Sequence, residues 1–118
     1  MNKEDIEQCK LFDWLRSRPD LEPYCWHTAN QRACSPQQGR ILKRMGVRAG
    51  VSDIFLGMAK GTYHGLFIEL KAEKGKVSQS QERFIIDMAS QGYYCAVCYG
   101  YEQAKKVIEW YLELKKPS

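Results

Sequence analysis

Between Gly65 and Tyr99 the chain reads strand, turn, capped helix, strand, and this run constrains the fold more than any other. Leu66-Phe67-Ile68-Glu69-Leu70-Lys71 has the alternation of a strand, and Lys74-Gly75-Lys76 breaks it. Ser78 caps a helix whose inner face is Phe84, Ile85 and Met88, Gly92 ends it, and Tyr93 to Tyr99 forms the next strand. A strand, helix and strand in this order close as a parallel crossover, which requires a sheet with helices on its faces. Upstream, Ser52 to Met58 reads as a strand joined by the turn Lys60-Gly61-Thr62 to its return strand, so the sheet is mixed. A first helix spans about Lys3 to Arg16 and stops before Arg18-Pro19-Asp20. Tyr24 to Thr28 is a short strand. Ser35-Pro36 opens a helix lasting to about Met45, with Gly46 closing it. Ala104, Val107, Ile108, Tyr111 and Leu112 mark a final amphipathic helix. The expected class is α/β, a mixed β-sheet flanked by helices in the order α-β-α-β-β-α-β-α.

With 118 residues, 44% of them hydrophobic, the chain (1–118) is expected to form one domain. No apolar run approaches the ~18 residues of a membrane span, and Met1-Asn2-Lys3-Glu4-Asp5 is no signal peptide. An intracellular domain without membrane contact is the expectation. The odd set of five cysteines, Cys9, Cys25, Cys34, Cys95 and Cys98, points to reduced thiols. Cys95 and Cys98 have knuckle spacing but lie in a strand, where residues three apart face opposite ways, so the thiols read as buried and not as zinc ligands.

The chemistry concentrates on the return strand. Glu69 and Lys71 project from the same face, about 7 Å apart, on a strand expected inside the sheet, where charges are costly to bury. Asp53 stands at the entry of the partner strand, either capping the turn after Gly50 or serving a site, and hairpin pairing brings it toward Glu69 and Lys71. Two carboxylates and a lysine at one spot are hard-oxygen chemistry suited to Mg²⁺ or Mn²⁺. In the first helix, Glu7 shares a stripe with Leu11 and Trp14, with Glu4 and Leu15 at its margin; it either turns inward or reaches water from the stripe's edge. Gln81 fits a capping box with Ser78 and equally a support for the site, and the two are compatible. His27 and His64 lie in separate segments, which gives a Ser-His-Asp or Cys-His engine little support.

Asp53 followed by Glu69-Leu70-Lys71 on the next strand resembles the PD-(D/E)XK nuclease superfamily, and within it the VRR-NUC (virus-type replication-repair nuclease) family. The similarity extends to Glu7-Gln8 with Leu11-Phe12-Asp13-Trp14, to Asn30-Gln31-Arg32, Lys43 to Asp53, Gly65 to Lys71, Gly75 to Gln81 and Gly92 to Gly100. The resemblance implies a restriction-endonuclease-like core. It implies Glu7, Asp53 and Glu69 as acidic metal ligands, the Leu70 carbonyl as a further ligand, and Mg²⁺ or Mn²⁺ as cofactor. Catalytic roles would fall to Asp53, Glu69, Lys71, which would hold the attacking water, and Gln81. Two positions depart from the pattern: Ser52 and Ala29 stand where the family usually has proline, and the second leaves the roles of Asn30 and Arg32 in DNA binding open.

The net charge of +4 is small for a DNA-binding protein, so placement matters more than total. Arg40, Lys43, Arg44 and Arg48 precede Asp53, Lys60 lies in the hairpin turn, and Lys74, Lys76 and Arg83 follow Lys71, flanking the site in sequence. No separate recognition module is evident, which favours DNA structure over sequence as the target. Stand-alone members of the resembled family look like homodimeric resolvases of four-way junctions, typical of phages and prophages. That implies branched DNA as partner and action in a bacterial or phage-infected cytoplasm. Trp26, Tyr63, Tyr101 and Trp110 could build the dimer interface or belong to the core. The rival readings are a flap or duplex nuclease of repair or restriction, and a non-catalytic DNA-binding module. The intact Asp53, Glu69 and Lys71 argue against the last.

Overall fold

The computed structural model describes residues 1–29 and 35–116. Among these, four α-helices and four strands follow in the expected order: α1 (Lys3–Arg16), β1 (Cys25–His27), α2 (Pro36–Arg44), β2 (Ile54–Leu56), β3 (Leu66–Lys71), α3 (Gln79–Ser90), β4 (Tyr94–Tyr99) and α4 (Tyr101–Leu112). A 3₁₀ turn over Glu22–Tyr24 leads into β1. Side chains that accept backbone N–H groups start three of the helices: Asn2 caps α1, Ser35 caps α2 and Ser78 caps α3, the last two in capping boxes with Gln38 and Gln81.

The sheet order is β1-β2-β3-β4. The first two junctions are antiparallel, and β3 pairs with β4 in parallel across the α3 crossover. Ile54 stands opposite Ile68 and Leu56 opposite Leu66, so one face of the hairpin is wholly apolar. Leu66, Ile68, Leu70, Ile54, Leu56 and Cys98 are buried on that face with Leu11 and Leu15 of α1 and Ala104, Ile108 and Tyr111 of α4. Each such aliphatic side chain contributes roughly 1.5–3 kcal/mol on burial, so this layer carries most of the packing stability. The hydroxyl of buried Tyr111 donates to the Met58 carbonyl at 2.7 Å. On the opposite face α3 covers β3 and β4, with Phe84 edge-on to Phe67 at 5.1 Å.

β2 is shorter than the Ser52–Met58 strand expected from sequence. Beyond Ile54 the ladder is replaced by a side chain, because Asp53 Oδ2 accepts the Leu70 N–H that the backbone of Ser52 would otherwise meet. The hairpin turn is held by a bridge between Lys60 and Tyr63. It lies at the Leu66 end of β3, five residues or about 17 Å from Lys71, so Lys60 does not flank the acidic end of the strand. The cysteines also divide. Cys25 and Cys98 are buried and Cys95 is half-buried, but Cys9 is exposed on α1, against the expectation of buried thiols throughout; Cys34 lies outside the described residues. Cys95 stands in register with Phe67 and Cys98 with Leu70, on opposite faces, so they cannot share a metal ion. Burial pushes the Cys25 thiol up to about 12 and those of Cys95 and Cys98 to about 11. No helix of the described residues is long and apolar enough to cross a membrane.

Gly50 fixes the approach to β2. Its φ is +85°, and a Cβ there would stand 2.2 Å from the Ser80 carbonyl oxygen, so only glycine lets this loop lie against the start of α3. Gly50→Ala is expected to lose roughly 2–4 kcal/mol, from the left-handed backbone and the clash together, measured as a lower urea midpoint. An unchanged midpoint would contradict this close approach.

Candidate active site

Continuing the β2–β3 register one step past Ile54 and Ile68 places Asp53 opposite Glu69. Both are buried, Asp53 at 8% exposure and Glu69 at 1%. Asp53 is held from two sides: its Oδ2 accepts the Leu70 N–H at 2.8 Å. Its carbonyl accepts the Thr28 N–H at 2.7 Å and faces His27 Nδ1 at 2.9 Å. The carbonyls of Gly65 and Lys71 accept N–H groups from β4 and its end, so odd-numbered residues of β3 turn their backbone toward β4. Leu70, at the even position, turns its N–H and C=O toward Asp53.

Glu69 is the costly residue. One oxygen, Oε2, accepts from Gln81 Nε2 at 3.3 Å and lies 3.8 Å from Lys71 Nζ. The other, Oε1, is buried and has no hydrogen-bond partner among the described residues. Burial first, then a proton shared with the Asp53 carboxyl and the charge of Asp53, push the Glu69 carboxyl up to about 9, against the opposing pull of Lys71. Gln81 ties the group together. Its Oε1 accepts from Lys71 Nζ and from the Ser78 backbone N–H, both at 2.9 Å, so one amide caps α3 and bridges the lysine to the glutamate.

Two opposed carboxylates, one with a buried orphan oxygen, carry more negative charge than the surrounding donors neutralise. A proton or a hard cation relieves that, and the all-oxygen donor set fits Mg²⁺ or Mn²⁺. The residues able to hold it are Asp53, Glu69 and the Leu70 carbonyl. Glu7 is not gathered with them: among the described residues no three acidic, histidine or cysteine side chains form a metal-holding group. Its Oε1 instead accepts the Tyr101 N–H at 3.0 Å, and its Oε2 pairs with Lys10 at 3.0 Å. These contacts, the Tyr101 N–H first, lower the Glu7 carboxyl below its ordinary range. The reason lies in α4, whose cap residue Gly100 has no side chain, so a carboxylate from α1 supplies the missing cap. The α1 acid whose charge bears on Glu69 is Glu4, one turn earlier. Sequence reading placed Glu4 only at the stripe's margin; the i, i+3 spacing of Glu4 and Glu7 was the available signal. His27 and Thr28, which brace Asp53, carried no signal of their own.

The basic residues disperse. Lys43 and Arg48 line a cleft of about 920 Å³ that ends at Ser78, Ser80 and Gln81. Arg40 and Arg44 are exposed on α2 without lining it, and Lys76 is exposed. Lys74 lines a second groove with Lys3, Glu7 and Tyr99. Arg83 is paired with Asp87 on α3. Asn30 and Arg32 lie outside the described residues. Trp26 and Trp110 are about half exposed, whereas Tyr63 and Tyr101 pack against the core.

A buried Asp just before β2, a buried Glu on β3 and a lysine two residues on, in a mixed sheet flanked by helices, together with the family match that follows, make this a nuclease-type α/β domain. The family model for the VRR-NUC domain matches residues 2–102, and the chain belongs to that family. A solved structure described as a VRR_NUC domain protein is similar to it, with a TM-score of 0.83 and 30% identity, covering 98% of this chain and 93% of that one. No curated protein matches the chain.

Folded Glu69 keeps its proton to higher pH than the unfolded chain, whose ordinary value is 4.5. The folded state therefore binds the extra proton between about 4.5 and about 9, and stability falls as pH rises through that window. Glu69→Gln is expected to remove this slope and raise the melting temperature in chelator at pH 8–9 by about 4 °C or more; equal slopes in both proteins would refute the burial argument. Glu7→Ala, in contrast, is expected to cost about 1–2 kcal/mol through the lost cap, seen in urea unfolding, while divalent-ion binding by calorimetry stays unchanged.

Proposed function

We propose that this chain, as one domain over 1–118, is a Mg²⁺- or Mn²⁺-dependent DNA endonuclease that hydrolyses phosphodiester bonds in branched DNA. The observation that carries this reading is Glu69: a carboxyl buried against Asp53, whose Oε1 meets no hydrogen-bond donor among the described residues, within 4 Å of an ammonium and tied to it by one amide. A structural ion pair would not need the second acid, and burying it without a cation is costly. Asp53, Glu69 and the Leu70 carbonyl would hold the cation, which when bound would supply water activation and charge neutralisation at the phosphate.

The chain's own residues do the positioning. Leu70 N–H and the bonds from Thr28 and His27 hold the Asp53 carboxylate and backbone at the strand entry. Gln81 holds Lys71 Nζ at 2.9 Å, leaving the ammonium to orient the attacking water and offset the negative charge that develops at phosphorus. Lys43 and Arg48 then carry the flanking phosphates. The domain selects DNA by shape, a four-way junction first. A homodimer supplies the two sites that symmetric cutting needs, with action in the cytoplasm of a bacterial or phage-infected cell.

The test incubates the unmutated chain with labelled four-way junction, flap and linear duplex, in Mg²⁺, Mn²⁺ or chelator. Cleavage is expected only with metal, and Asp53→Asn and Lys71→Ala should each lower the rate by about 10²–10³. Paired symmetric nicks in the junction alone support the resolvase version, and light scattering should then give a dimer. Cutting of every substrate supports the flap or duplex reading. Binding without cleavage in either metal would overturn the enzyme and leave a DNA-binding module. In thermal melts, Mg²⁺ or Mn²⁺ is expected to raise the midpoint of the unmutated chain and leave that of Asp53→Asn almost unmoved.

A further inference from the structure

Four side chains of α2 and its C-cap have no task in the site. Arg40 and Ile41 stand one turn before Arg44 and Met45, so an arginine row runs beside an apolar row at i, i+4 spacing. None of the four lines the cleft that Lys43 and Arg48 border. Ile41 is 53% exposed and Met45 74%, and α2 as a whole buries no residue. Both arginines are exposed, and neither forms an ion pair among the described residues. Between Ser35 and Asp53 the chain holds four basic residues and no acidic one, while the remainder balances at 14 of each. The whole +4 charge therefore resides in this segment.

A nine-residue helix is marginal by itself in water, and Gly39 in its interior costs about 1 kcal/mol against alanine. The capping box of Ser35 and Gln38 secures its start, but its apolar row stays open to water. What covers it must bring negative charge to the arginines and apolar contact to Ile41 and Met45 together. A nucleic-acid backbone supplies only the first. A bilayer supplies both, but two aliphatic side chains with no aromatic residue on the helix would bury little area in it. A second folded domain needs about 20–30 residues a side, far beyond this patch. We propose that this side of α2 docks a short acidic and apolar segment of a partner protein, its carboxylates on Arg40 and Arg44 and its apolar side chains on Ile41 and Met45. The docking is independent of the hydrolase reading, because it uses no residue of the acid–lysine cluster or of the cleft.

The experiment titrates the full chain, in chelator, against a fluorescein-labelled peptide of about twelve residues in which leucines at i, i+4 spacing are interspersed with Asp and Glu, read by anisotropy. The leucine peptide should bind about tenfold or more tighter than a matched peptide with serine in place of leucine. The surface pairs Ile41→Ser with Met45→Ser, and Arg40→Ala with Arg44→Ala, should each weaken it about tenfold, and the second pair should remove most of its salt dependence. In the unmutated chain the peptide should slow amide exchange from Arg40 to Met45 about threefold or more, a readout that needs no variant. Equal binding of the two peptides, or unchanged exchange over α2, would overturn the proposal. Phosphatidylglycerol vesicles and a paired DNA duplex are the remaining arms: binding of either that falls with the Ile41→Ser, Met45→Ser pair would overturn it too, assigning the surface to lipid or to DNA.

Discussion

The hydrogen bond from the Leu70 N–H to Asp53 Oδ2 organises the acidic end of the sheet. A backbone donor that the β2–β3 ladder would have consumed is given to a carboxylate, so the ladder stops and a charged side chain enters at a buried rung. Everything chemical follows from that exchange. Asp53 is fixed opposite Glu69, Leu70 turns its backbone toward it, and the strand that ends early leaves the space in which the two acids meet. Burial beside Asp53 pushes the Glu69 carboxyl toward its protonated form.

Gln81 connects this pair to the rest of the molecule. One side chain caps α3 and also bonds Lys71 and Glu69. The start of α3 is thus tied to the position of Lys71, and Gly50 ties the same helix end to the approach of β2. Three segments distant in sequence share one corner. Movement of α3 would shift lysine, glutamate and cleft wall together.

Much of the fold was legible in the sequence. The capping residues Ser35 and Ser78, the apolar repeat of the last helix and the alternation of Leu66–Lys71 set the elements, because each rests on backbone hydrogen bonding or on period alone. The alternation put Glu69 and Lys71 on one face, and hairpin pairing brought Asp53 to them. The reading stopped where contacts crossed between elements. Glu7 lies on the expected inner stripe of α1, yet its carboxylate goes to the uncapped start of α4, a demand that arises from Gly100, ninety-three residues later. Lys60 looked close to the site in sequence, but an antiparallel strand carries it to the far end.

The order of elements, the mixed sheet and the pairing of one acid with another across the hairpin were determined by the chain's local pattern, since strand parity and turn position leave little freedom. Where Glu7 directs its carboxylate, how Gln81 is shared between a helix cap and Lys71, and where the cleft lined by Lys43 and Arg48 opens were decided by packing. Those outcomes depend on which unsatisfied N–H or buried oxygen lies nearest once the helices have docked, and that proximity exists only in three dimensions.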